Sequence, residues 1–481
     1  MSENSLVSRL ARYAAGQLFQ RIIRLANAYI KPRFLDPVQI GLWNGLNLIP
    51  TYAAFSHLGA LQTLRLRIPE LLAEGREEER LRLQTTAYWG TLYPSLLIAL
   101  GAFLAGLFPT LEEIIRHGLW TMAIAVLMGW YTQYQLTLCK GEQLFEIITR
   151  SNYIGSWSTL LLGLPAIVLL GMEGVYLSFL ASQLLTLLYL RRVHPLHHRG
   201  GPSRSLFFSL VKEGWPLLLF GIALTLITTL DRFIILAKLG TEALGFYALA
   251  LTASGFLLQI PMATREILEP QLMAMLAKHP PTRIWDEHYY RPLINTAFYY
   301  PLIAAPVIFL AEPVLALILP KFTPSATSAA ILAAGSWFLA LSFVSRGMLG
   351  ALRLQLRALP ILFAALLCHA SLSLFLIDRG LGIEGVALSA SLAFALLFLG
   401  LTFFLGRRTP FNRREEARRL LAIGVAPLVT LPAIPLAKGY LASPWLQAAL
   451  YTAGLVLLIQ ISSRFSPLLK PLRQPARKNL P

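Results

Sequence analysis

VKEGWPLLLFGIALTLITTLDRFIILAKLGTEALGFYALALTASGFLLQIPMATREILEPQ, Val211 to Gln271, is the stretch on which the fold turns. An apolar run carries the adjacent pair Asp231 and Arg232 towards its far end. The short loop KLGTEALG follows, and a second apolar run ends at Arg265 and Glu266. At a rise of about 1.5 Å per residue, each run crosses a hydrocarbon layer of about 30 Å. The stretch therefore reads as a transmembrane helical hairpin with a charged pair where charge is expensive.

The rest of the chain repeats the pattern. Of 481 residues, 56% are hydrophobic and 14% charged, where a soluble protein would carry about a quarter charged. Apolar runs of roughly 17–25 residues predict fourteen helices. They fall near 8–31, 38–60, 84–108, 118–138, 150–170, 173–191 and 212–236. The others lie near 243–264, 292–311, 326–348, 356–377, 383–405, 420–437 and 444–463. The expected class is an all-α integral membrane protein, multi-pass and seated in a lipid bilayer.

Lys and Arg outnumber Asp and Glu by 42 to 24. In a soluble protein that excess would point to nucleic acid. Here 32 of the 42 basic residues fall in loops of one side, as the positive-inside rule requires, so no nucleic-acid partner is implied. Seven fall on the other side (Lys31, Arg33, Arg116, Lys238, Lys321, Arg379 and Lys438), and three lie within helices. This bias places both termini in the cytoplasm and makes the number of helices even. Two cysteines, Cys139 and Cys368, exclude a disulfide framework and a Cys-based metal cluster. The first thirty residues, interrupted by arginines, do not read as a cleavable signal peptide. The loops are too short for a soluble catalytic domain, which needs at least about 50 residues.

An internal repeat links LDPVQIGLW, Leu35 to Trp43, with LGTEALGFY, Leu239 to Tyr247. It predicts two six-helix lobes, 1–191 (helices 8–191) and 212–405, joined by a basic cytoplasmic linker at 192–211. A basic loop at 406–419, a helix pair at 420–463 and a cytoplasmic tail at 464–481 complete the chain. Parallel repeats of this kind are common in transporters, with the substrate site between the halves.

Two segments carry a family resemblance: RFLDPVQIGLWNGLNLIPTYAAFSHLGALQTLRLRIPE and LDRFIILAKLGTEALGFYALA. The sequence resembles the polysaccharide flippases of the multidrug/oligosaccharidyl-lipid/polysaccharide exporter superfamily. Asp36, standing where the second copy has Gly240, departs from the pattern. The resemblance implies a V-shaped, MATE-like bundle around a central cavity, with the C-terminal helix pair forming a lateral groove for a lipid tail. It implies a substrate, undecaprenyl-pyrophosphate-linked oligosaccharide, moved from the inner to the outer leaflet of a bacterial inner membrane by alternating access. Cell-surface polysaccharide, O-antigen of lipopolysaccharide among the alternatives, would be the product, with a polysaccharide polymerase and chain-length proteins as further partners.

Arg21 and Arg24 are three apart and share one face of the first helix, with Gln17 and Asn27 extending the polar stripe. One intramembrane Arg costs at least about 2.5 kcal/mol. A pair on one face therefore reads as a cationic cavity wall that grips pyrophosphate with bidentate guanidinium forks. If the helix starts later, both instead snorkel to the cytoplasmic interface. Arg232 either joins that cavity or sits near the outer interface, whereas Asp231 reads as structural, capping or bonding a neighbouring helix. Arg265 and Glu269, about one turn apart, are expected to pair with each other, with a gate contact as the alternative. His369 reads as a core residue. His194, His197 and His198 read as a basic linker near anionic lipid and not as a metal site. Apart from Asp231, the helix centres offer almost no carboxylate that titrates. That weighs against the alternative, a cation-coupled multidrug exporter, and leaves the coupling ion open between proton and sodium. A membrane polymerase or ligase is the least supported reading, for want of a site, and no cofactor is expected.

Overall fold

The computed structural model describes residues 23, 27, 30–196, 201–262, 281–440 and 443–465, and every regular element among them is a helix. Seven continuous helical segments among the described residues are long and apolar enough to cross a membrane. The all-α membrane architecture expected from the apolar runs is the one observed.

The chain divides into two compact units, Met1–Ile222 and Ala223–Pro481. In the first lie α1 (Pro37–Leu46), α2 (Leu48–Ala53), α3 (Ala60–Ala73), α4 (Glu77–Ala105), α5 (Glu113–Gly141) and α6 (Phe145–Val193). Helix α7 (Arg204–Ile227) begins in this unit too. The expected helix at 38–60 is thus broken into α1, α2 and a turn. The repeat explains one of its boundaries. Asp36 accepts the Gln39 N–H at 2.8 Å and its own N–H donates to Gln39 Oε1 at 3.2 Å, a capping box that starts α1 beside Pro37. In the second copy Gly240 opens the matching helix at φ +88°, a conformation that suits glycine. The two copies begin a helix within one residue of the same register, by different chemistry.

Helix α6 runs for 49 residues, about 73 Å if straight. It is two spans merged. Gly171 sits at φ 56°, ψ −126°, a reversal open to glycine. The halves on either side interlock: Ser182 Oγ donates to the Gly155 carbonyl at 2.9 Å and lies 2.9 Å from Thr159 Oγ1. The expected spans 150–170 and 173–191 are therefore present as a hairpin with almost no loop.

The division at Ile222 falls later than the expected start of the second lobe at 212, and the cause is packing. The first half of α7 is held by α3. Gly59 and Gly214 bring their backbones into contact so closely that a Cβ on either would collide with the other. Thr63 Oγ1 donates to the Leu210 carbonyl at 2.9 Å, and Arg67 pairs with Glu213 at 2.5 Å. Leu210 is buried in one core with Leu64, Ile68, Tyr134 and Leu138.

The second unit holds α8 (Leu230–Lys238), α9 (Gly240–Leu257), α10 (Pro281–Trp285) and α11 (Arg291–Ile318). It continues through α12 (Ser325–Ala351), α13 (Leu359–Asp378), α14 (Gly382–Gly406), α15 (Arg413–Tyr440) and α16 (Pro444–Phe465). A π-turn at Asp286–Tyr290 leads into α11. Helix α12 is the centre of this unit. Its small residues (Ser328, Ala329, Ala333, Gly335 and Ser336 among them) are buried and let α11, α9 and α14 approach. Gly335 lies so close to Ser391 of α14 that any side chain there would clash.

The expected helix at 212–236 is a second correction. It breaks between α7 and α8, where Thr228 Oγ1 and Thr229 Oγ1 both donate to the Thr225 carbonyl at 2.9 Å. Thr229, at φ −134°, leaves the helical region, and a new helix N-terminus opens inside the apolar run.

Candidate functional site

Of the residues singled out in the sequence, Gln17, Arg21, Arg24, Arg265 and Glu269 lie outside the described residues. Asn27, Asp231 and Arg232 are described. Asn27 Nδ2 donates to the Ile23 carbonyl at 3.2 Å, so half of its amide is used within its own helix.

Asp231 sits in the first turn of α8, where the helix dipole favours a carboxylate. It is 2% exposed and, among the described residues, is the only buried carboxylate. Its Oδ1 accepts the Arg232 backbone N–H at 2.8 Å, not the guanidinium. Arg232 Nε is buried without a hydrogen-bond partner. Two groups from neighbouring helices face the Asp231 carboxylate. The Tyr247 hydroxyl of α9 approaches it but stops short of a hydrogen bond, and the fully buried His369 of α13 lies within its electrostatic reach. Neither ring nitrogen of His369 has a hydrogen-bond partner, and Ser373, one turn on, is buried with its hydroxyl equally unmet. His369 is thus a core residue by burial, but not a satisfied one. Each unmet polar group in an apolar interior costs about 1–3 kcal/mol. Such a concentration inside a membrane bundle marks a working site more often than a structural one.

The first unit holds a second polar site, which sequence reasoning missed. A pocket of 360 Å³ is lined by His57, Gln62 and Arg65 from the α3 region, Gln133 and Lys140 from α5, and Gln183 from α6. No carboxylate lines it. Gly59 N–H donates to His57 Nδ1 at 2.9 Å, so the neutral ring carries its proton on Nε2. Gln133 Nε2 donates to the Ala54 carbonyl at 3.0 Å, which fixes that amide. Gln62 Oε1 and Thr132 Oγ1, also at the wall, are buried without partners. Cationic groups, fixed amides and unmet acceptors in one recess suit an anionic, hydroxyl-rich ligand. The signal in the sequence was the run of Gln and Thr residues on otherwise apolar helices.

At the Arg-rich end of the same unit, Glu142 closes α5 and gathers three donors. Arg80 Nη1 reaches its Oε1 at 2.5 Å, His194 Nε2 its Oε2 at 2.9 Å and Gln84 Nε2 its Oε1 at 3.4 Å. His194 Nδ1 meets Gln135 at 3.0 Å on its other side. Burial pushes the Glu142 carboxyl up, but the His194 hydrogen bond and charge, with Arg80 and Gln84, outweigh it and hold the group below the usual carboxylate range. His194 is therefore a structural clasp between α5 and α6. Among the described residues no group of His, Cys, Asp and Glu has the makings of a metal site.

A family described as polysaccharide biosynthesis protein matches residues 77–326, more than half of the chain. No curated protein matches it. Among solved structures, the lipid II flippase MurJ in an inward closed conformation superposes with a TM-score of 0.72 at 14% identity, covering 96% of this chain and 100% of that one. An inward-facing multidrug resistance MATE family transporter of the MOP superfamily gives 0.63 at 14% identity, covering 82% and 98%. A MOP superfamily transporter from Pyrococcus furiosus gives 0.58 at 14% identity, covering 82% and 93%. At these identities the likeness establishes a common fold.

Proposed function

Because the chain belongs to the polysaccharide biosynthesis protein family, and its fold is one that membrane flippases and transporters share, we propose that it moves undecaprenyl-pyrophosphate-linked oligosaccharide from the inner to the outer leaflet of a bacterial inner membrane. The observation that carries this reading is the carboxylate-free pocket in the first unit, with Arg65, Lys140 and His57 among amide side chains. Its 360 Å³ is at the small end for a ligand site, the size of a pyrophosphate with one sugar and not of a whole oligosaccharide. Arg21, Arg24 and Arg232 remain the further candidates for the pyrophosphate.

Asp231 is the group proposed to couple transport to an ion gradient. The neighbours of this buried carboxylate, the His369 ring and the Tyr247 phenol, do not supply the shell of oxygens that sodium wants, so the ion proposed is the proton. The same observation serves the second reading, a cation-coupled exporter of drugs.

The deciding assay uses the purified chain in liposomes with a fluorescent undecaprenyl-pyrophosphate-linked sugar in the inner leaflet. Transport by the native chain, lost in Arg65→Ala/Lys140→Ala and in Arg21→Ala/Arg24→Ala at equal protein levels, supports the flippase. Asp231→Asn should remove the response to an imposed pH gradient. Transport of a cationic dye but of no lipid-linked sugar would replace this reading with the exporter.

A further inference from the structure

A larger recess of 630 Å³ opens elsewhere in the first unit, between α4, α5 and the end of α6. Its lining changes character along two helices in step. On α5, Tyr131 is followed one turn back by Leu127 and, beside it, Met128. On α6, Arg191 is followed one turn back by Leu187. Both helices thus pass from polar to apolar over about 6 Å, the step of four helical residues. Tyr88 of α4 joins the polar groups, within electrostatic reach of Tyr131 and Arg191, and Pro195 and Leu196, past the end of α6, line the recess beside them.

The polar end is built to donate. Gln135 Nε2 donates to the Tyr131 oxygen at 3.1 Å, so the phenol keeps its own hydrogen to donate. Arg191 is exposed, makes no ion pair among the described residues, and no acid lines the recess. The nearby Glu142 is already engaged by Arg80 and His194. A guanidinium and a phenol lining one recess suit a phosphate oxygen pair. Leucines one turn deeper suit hydrocarbon and would repel a soluble sugar phosphate. The recess lies at the Arg-rich end of the bundle, which the positive-inside rule sets beside the leaflet that carries anionic lipid.

We propose that this recess binds an anionic glycerophospholipid, its phosphate on Arg191 and Tyr131 and an acyl chain along Leu127, Met128 and Leu187. The site is separate from the 360 Å³ pocket and does not depend on what that pocket carries. A bound lipid would brace α4, α5 and α6 where the Glu142 cluster already joins them.

The test uses the full chain, purified in neutral detergent and delipidated. Phosphatidylglycerol or phosphatidylcholine of the same acyl chains is titrated in, with retained lipid counted by native mass spectrometry and thermal stability followed in parallel. Phosphatidylglycerol should bind at least fivefold more tightly than phosphatidylcholine. Arg191→Ala should erase that preference, Tyr131→Phe should reduce it about threefold, and Arg192→Ala, outside the recess, should keep it. The lipid comparison on the native chain needs no variant, so a folding defect in one of them does not blunt the test. Equal binding of the two lipids overturns the proposal, as does full preference in Arg191→Ala. Equal stabilisation by inorganic phosphate alone would make the recess a soluble-anion site and overturn the lipid assignment.

Discussion

Replacing Glu142 by Gln isolates what the charged clasp at the Arg-rich end contributes. The three partners are sheltered: the side chains of Arg80, Glu142 and His194 are 14, 15 and 17% exposed. An exposed ion pair is worth about 0–1 kcal/mol, and removing one member of a fully buried pair costs about 3–5 kcal/mol. Gln keeps the volume and one acceptor oxygen, so the loss should fall between, at about 2 kcal/mol. For a unit the length of Met1–Ile222, that lowers the melting temperature by about 4–8 °C. The pH dependence gives a second, independent reading. The Glu142 carboxyl is held below its ordinary value of 4.5 in the folded chain, so it binds protons less readily folded than unfolded. The stability it contributes is fully present above pH 4.5 and is lost as pH falls through the folded value. Thermal unfolding of purified native and Glu142→Gln protein, followed by tryptophan fluorescence from pH 7 downwards, should show curves that differ at neutral pH and converge in acid. Melting points within about 1 °C of each other at neutral pH, with parallel profiles, would refute the reasoning. A cycle with Arg80→Met separates the Arg80 contribution from that of His194.

Three further outcomes are expected. Gly214→Val drives a side chain into the Gly59 backbone and should cost about 3 kcal/mol, seen as a lowered melting point and poor recovery in detergent. His369→Leu removes two unmet ring nitrogens and should raise the melting temperature while transport falls, since each such group costs about 1–3 kcal/mol. Transport unchanged in that variant would make the histidine a packing residue. Asp36→Ala removes the capping box of α1 and should lower stability by about 1 kcal/mol, an effect that Asp36→Ser largely spares.

The features that can be read from the sequence are those set by the solvent. Run length and the side chosen by arginine follow from the bilayer, which acts on each segment alone. That is why the spans either side of Gly171 and the charged Asp231 stand out in the amino-acid sequence by themselves. The break at Thr228–Thr229 does not, because a threonine in an apolar helix ordinarily bonds back to its own turn without ending it. Nothing local distinguishes the pair that does. The pocket of Arg65, Gln133 and Gln183 is hidden for another reason. Its members come from three helices and span more than a hundred positions, and each alone looks like a lapse in an apolar face. His194 illustrates the converse. Its neighbours in sequence suggest a basic linker, whereas its partners in space, Glu142 and Gln135, make it a clasp.

The reversal at Gly171 has a consequence for how the chain is made. Gly171 and Met172 are all that stand between two spans, so no loop can be threaded across the bilayer ahead of the second one. Thr159 Oγ1 already donates to the Gly155 carbonyl one turn back in its own span, whereas the Ser182 hydroxyl reaches that carbonyl only once both spans are in place. The two spans therefore complete their packing as one hairpin. Glu173, two residues past the reversal, meets His117 of α5 at 2.9 Å.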